Sequence, residues 1–110
     1  MKRTMITTAP ELANFEVIET LGVVTGLTVR STSAVGGIIA GIQSLFGGNN
    51  STYISLCKKA RRESFEEMYM NALKLRANAI IAVRYDATEI AGYMTEVLSY
   101  GTAVIVEPKK

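Results

Sequence analysis

The sequence predicts an α+β domain in which an antiparallel-rich sheet packs on one long helix, in the order β-β-α-α-β-β. Three observations carry that prediction. Apolar residues fall on alternate positions from Phe15 to Val29. Cys57, Ala60, Ser64, Met68, Ala72 and Leu75 lie on one helical stripe. Two further alternating runs, Ala79 to Asp86 and Met94 to Val106, close the chain.

The elements follow in order. Lys2 to Thr8 is expected as a short strand, broken at Ala9-Pro10-Glu11 because proline offers no donor to a ladder. In the long strand that follows, Phe15, Val17, Leu21, Val23, Leu27 and Val29 form the apolar set, and Glu16, Thr20, Gly22, Gly26 and Thr28 the other. Period two implies one buried face, read here as the odd-numbered one. Gly22 and Gly26 mark bulges or a close approach by another backbone. Ser31-Thr32-Ser33 can cap a weak helix over Ala34 to Leu45, in which Gly36, Gly37 and Gly41 each cost about 1 kcal/mol relative to alanine. After the turn Gly47-Gly48-Asn49-Asn50, Ser51 or Thr52 caps the main helix, expected from Thr52 to Leu75. Tyr53, Phe65 and Tyr69 widen its apolar stripe. Lys59–Glu63 and Arg62–Glu66 are spaced to pair along it. Ala91-Gly92-Tyr93 is the expected turn between the last two strands. In the last strand, Leu98, Tyr100, Val104 and Val106 share one side, and Val97, Ala103 and Ile105 the other. Both faces are therefore expected to be covered near its end.

Composition narrows the function classes. With 110 residues, 48% hydrophobic and 20% charged, the chain reads as one folded domain over residues 1–110. So small a domain gains from a further source of burial such as oligomerisation. A net charge of +2 and the absence of a basic run interleaved with aromatics argue against nucleic acid as a partner. No apolar stretch is long enough to span a bilayer, and Pro10 and Glu11 interrupt any signal-like start, so no membrane partner is expected. The single cysteine, Cys57, allows no intrachain disulfide, which fits a reducing cytoplasm.

Short signatures occur in a fixed order: Met5-Ile6-Thr7-Thr8, Leu21-Gly22-Val23-Val24-Thr25-Gly26, Gly47-Gly48, Ala77-Asn78-Ala79-Ile80 and Ser99-Tyr100-Gly101-Thr102-Ala103-Val104. Together they resemble the small bacterial YbjQ-like family, also called the "putative heavy-metal-binding domain", over almost the whole chain. The resemblance implies a dodecin-like subunit that assembles as a ring-shaped homopentamer. Two departures stand out. Asn49 and Asn50 follow the glycine pair where the family has Arg-Ser, and Arg76 precedes Ala-Asn-Ala where the family has glycine. Asn78 is expected to take the left-handed helix-ending conformation that glycine would otherwise supply.

Candidate site residues are few. Thr25, Arg84, Tyr85, Asp86, Ser99 and Thr102 are polar groups in otherwise apolar strands, where a small-ligand cleft draws its directing contacts. Gly47, Gly48 and Ser51 precede the main helix and offer backbone N–H groups to an anion, although the spacing is not that of a P-loop. Lys58, Lys59, Arg61 and Arg62 follow in a region where the helix dipole disfavours cations, which acidic partners or a bound anion would offset. Cys57 is the only thiol and hence the one candidate ligand for a soft metal ion. As a free cysteine on an apolar stripe it is more simply a buried core residue. Zinc and copper sites normally use several Cys or His ligands, and this chain has no histidine, so a metal would need donors from several subunits. The same lack removes Ser–His and Cys–His pairs, and no carboxylate pair is placed for acid–base work, so an enzyme is not expected. The expected function is a non-enzymatic binding module with a small ligand or soft metal held between subunits. The alternative is an interaction protein that docks a partner on residues Ala34 to Phe46.

Overall fold

In the computed structural model, which describes residues 1–31, 51–90 and 94–110, a long helix packs on a three-stranded antiparallel sheet. The elements are β1 (Phe15–Ser31), α1 (Ser51–Lys74), β2 (Ala79–Ile90) and β3 (Met94–Pro108), with sheet order β1-β3-β2. The segment expected as a glycine-rich helix, residues 34–45, lies outside the described residues, as does the turn at 91–93.

The helical stripe is observed. Ala60, Ser64, Met68 and Ala72 are buried against the sheet, while Leu75 is exposed and Cys57 half-buried. The two expected pairings along the helix are replaced by ties to other elements. Glu63 bonds Arg30 of β1, and Glu66 bonds Arg3 of the N-terminal segment. The Arg30 hydrogen bond, with its positive charge, holds the Glu63 carboxyl below the usual glutamate range.

The helix ends as the sequence requires, but on a different residue. Arg76, not Asn78, takes the left-handed conformation, with φ 64°. The Arg76 N–H reaches the Leu73 carbonyl at 2.9 Å, and the Ala77 N–H reaches that of Ala72 at 3.2 Å. These are the two bonds of a Schellman motif, and Ala72 and Ala77 share its apolar contact. Asn78 instead behaves as an extra rung of the sheet. Its amide accepts from Val106 N–H at 2.8 Å and donates to the Val106 carbonyl at 3.0 Å.

The period-two reading of β1 finds the strand and assigns its burial to the wrong side. Register shifts at Val17/Glu19 and Thr20/Gly22 interrupt the pairing with β3, and Gly22 carries φ 123° at the second. Past them, Val24, Gly26, Thr28 and Arg30 lie on the helix side. Gly26 is where the helix crosses: a Cβ there would stand 1.9 Å from the Ser64 carbonyl oxygen. Of the odd-numbered set, Leu21 packs into the core with Val24, whereas Val17, Val23, Leu27 and Val29 are exposed.

Lys2 to Thr8 is not a strand. Arg3–Met5 form one 3-10 turn, and Ile6 makes a single parallel bridge to Ile80. The Thr7 and Ala9 backbones then bond Ile80, Ala82 and Val83, covering the edge of β2 where Ala82 has φ 54°. Leu12, Phe15 and Met5 cover Val104 and Val106, so β3 is buried on both faces near its end, as expected. The described residues form an elongated body. Its radius of gyration is 17.5 Å, against roughly 13 Å for a compact domain of this length.

Candidate functional site

The side of the sheet away from α1 gathers four of the six expected ligand-directing residues. The register places Thr25, Tyr100 and Arg84 in one row across the three strands. Thr102 lies in the adjacent row with Val23 and Ile81, and Asp86 in the next with Leu98 and Leu27. Four apolar members of this face are open to solvent: Val23 is 72% exposed, Val29 47%, Leu27 45% and Tyr100 37%. Arg84 is anchored from below, its Nη1 donating to the Thr8 carbonyl at 2.7 Å and to that of Val83 at 2.9 Å.

The other two expected residues are elsewhere. Tyr85 lies on the helix side, exposed beyond the edge of α1. Ser99 is fully buried beneath the helix, with its Oγ 2.6 Å from Ser64 Oγ, and is a packing residue. Sequence alone does not separate these two from the outer four because both sides of β2 and β3 carry polar residues.

The remaining candidates are not brought together. Gly47, Gly48 and the side chain of Ser51 lie outside the described residues. Cys57 stands in the seventh position of α1, half-buried and unbridged. Among the described residues no three His, Cys, Asp or Glu side chains converge on a point where one metal ion would sit. Among the described residues, no helix is long and apolar enough to cross a membrane.

A recess of about 270 Å³ that the sequence does not announce lies where the N-terminal segment meets the sheet. Leu12, Phe15, Val17 and Val106 line it, with Glu16 and Lys109 at its rim. Asn14, with φ 69°, turns the chain there, and its carbonyl accepts from Lys109 N–H at 2.8 Å.

Residues 4–107 match the model of the YbjQ family, described as "Putative heavy-metal-binding". A UPF0145 protein of Chromobacterium violaceum is 56% identical over 94% of this chain and 89% of its own length. Another from Burkholderia lata is 53% identical over 94% and 87%, respectively. Among solved structures, a protein of unknown function from Pediococcus pentosaceus, assigned to the DUF74 family, superposes with a TM-score of 0.62 at 17% identity. The superposition covers 93% of this chain and 96% of that one, and establishes likeness of fold. The ordered signatures, the sheet-and-helix fold and the full-length match agree: this chain belongs to the YbjQ-like family.

Proposed function

We propose that this chain is a subunit of a non-enzymatic, cytoplasmic homo-oligomer that binds a small ligand between its subunits. The carrying observation is the apolar outer face of the sheet. Val23, Leu27, Val29 and Tyr100 are open to solvent there. Thr25, Arg84, Asp86 and Thr102 are set among them. A contiguous apolar face on a soluble chain is normally covered by a partner. A second copy supplies matching apolar surface, and the polar residues then become the directing groups of a pocket between copies. The elongated shape supports the same reading, because a chain that does not close its own core completes it by assembly. A homopentameric ring is the specific form the family resemblance favours.

A soft metal ion is the second reading, favoured by the family's description and by the half-buried Cys57 thiol. It requires thiolates from several subunits around an axis. The partner-docking alternative rests on residues 34–46, which lie outside the described residues.

Native mass spectrometry of the purified protein tests the proposal. Assembly into a closed ring, carrying a co-purified small molecule or metal mass, is expected. A stable monomer at micromolar concentration overturns it. Val23→Lys, a charge on the most exposed large apolar side chain among the described residues, is expected to dissociate the assembly while leaving each subunit folded.

A further inference from the structure

On the opposite side of the sheet, α1 lies over β1 and β3, and Tyr85 of β2 is exposed beside it. Arg3, Arg61, Arg62, Phe65, Glu66 and Tyr85 line an open groove of about 430 Å³ there. That volume is within the range of small-molecule sites, about 300–1,000 Å³. Three arginines against one glutamate give the groove a net charge of +2 (3 − 1), equal to that of the whole chain.

The ion pairs explain why this charge is not neutralised from within. Glu66 is taken by Arg3, and Glu63 by Arg30. These are the two carboxylates that helical spacing would have offered to Arg62 and Lys59. Among the described residues, Arg61 and Arg62 make no ion pair, although they are adjacent in sequence and line the same groove.

The wall beside them is aromatic. The Arg3 guanidinium lies 5.1 Å from the centre of the Phe65 ring and 5.6 Å from that of Tyr69. Tyr69 in turn donates to the Met1 carbonyl at 2.6 Å, so the N-terminal segment is tied down at the groove. Phe65 and the exposed Tyr85 present ring surface to the same space.

We propose that this groove binds a phosphate monoester carrying a planar ring. Arg61 and Arg62 take the phosphate, and the ring lies against Tyr85, beside the Phe65 ring that Arg3 covers. Two guanidinium groups match the charge of a monoester dianion, about −1.5 to −2 at neutral pH, and their planar forks suit phosphate oxygens. An inorganic anion would use the arginines and leave Tyr85 uncovered. The ring-bearing ester uses both.

Calorimetric titration with phenyl phosphate, adenosine 5′-monophosphate and inorganic phosphate tests this. At least one of the two ring-bearing esters is expected to bind about tenfold or more tighter than inorganic phosphate. The tighter of the two distinguishes a nucleotide from a simple aryl phosphate. Both arginines are exposed, so Arg61→Ala/Arg62→Ala is expected to fold, as circular dichroism will show. It should lose affinity for all three probes by about tenfold or more, the scale of a lost charged hydrogen bond. Tyr85→Ala should abolish the preference for the ring while retaining phosphate affinity. No saturable binding of either ester, equal affinity for inorganic phosphate, or unchanged affinity in the double-arginine variant each overturns the proposal.

Discussion

Ser64 and Ser99 pin the helix to the middle of the sheet, with their hydroxyl oxygens 2.6 Å apart and no exposure to solvent. Ser64 Oγ donates to the Gly26 carbonyl at 2.7 Å, so the single Ser99 hydroxyl proton serves the bond between the serines. Ser64→Ala removes the Ser64 bond to the Gly26 carbonyl and takes away the partner of the buried Ser99 hydroxyl. A loss of about 1–3 kcal/mol in urea unfolding is expected. Ser64→Ala/Ser99→Ala should cost less than the sum of the single changes, because the second removes a group the first left unsatisfied. Additive costs would show that the two hydroxyls act independently.

Gly26→Ala tests the close approach itself. In an ordinary strand, alanine for glycine gains about 0.5–1 kcal/mol. Here the new methyl would meet the Ser64 carbonyl oxygen at 1.9 Å and the Met68 nitrogen at 2.6 Å, both helix backbone. The sign should therefore reverse, with a loss at or above the usual 1–3 kcal/mol of overpacking. A neutral or stabilising result in thermal unfolding would mean that the helix stands farther off.

Arg76 is a position to improve. A non-glycine residue at φ 64° carries a cost of roughly 1–2 kcal/mol. Arg76→Gly should raise stability by about 1 kcal/mol with the Schellman bonds intact. Asn78→Ala should do the reverse, losing about 1–3 kcal/mol because Val106 N–H and C=O lose their side-chain partner. Urea midpoints of the two variants, moving in opposite directions, are the check.

The Arg30–Glu63 contact sets an acid limit. The Glu63 carboxyl is held below its ordinary value of 4.5, first by the hydrogen bond from Arg30. The pair therefore contributes fully above that value and loses its contribution as pH falls through the lower folded one. The stability gap between wild type and Glu63→Gln should narrow as pH falls through the ordinary glutamate value and below it, and narrow again in high salt. A gap that is constant with pH would mean that Glu63 ionises as it does in the unfolded chain.

The long elements were legible because their residues repeat with a clear period. Helix α1, expected from Thr52 to Leu75, spans Ser51–Lys74. The buried side of β1 was not legible, for two reasons. Bulges beside Glu19 and Gly22 break the count, so that Leu21 turns inward while Val17 and Val23 do not. The side that meets the helix is also poor in large apolar residues, because Gly26, Ser64 and Ser99 let the backbones approach. The apolar residues that dominate the pattern belong to the other side, and they are informative about what covers that side rather than about the core. Of the six candidate residues, Thr25, Arg84, Asp86 and Thr102 share one face. Only the register separates them from Ser99 and Tyr85. The groove beside Tyr85 depends on Arg3, whose position no local pattern announces.

The pairing of β1 with β3 also bears on how the protein is made. Ser31 pairs with Met94 and Phe15 with Pro108, so β1 finds its partner only in a strand that follows α1 and β2 in the chain. The N-terminal residues likewise wait for Ile80 to Val83. On the ribosome, Val17, Val23, Leu27 and Val29 lack the strand that β1 pairs with until β3 has emerged. Pairing of β1 therefore waits on closure of a long loop, and until then the strand's apolar residues are open to aggregation.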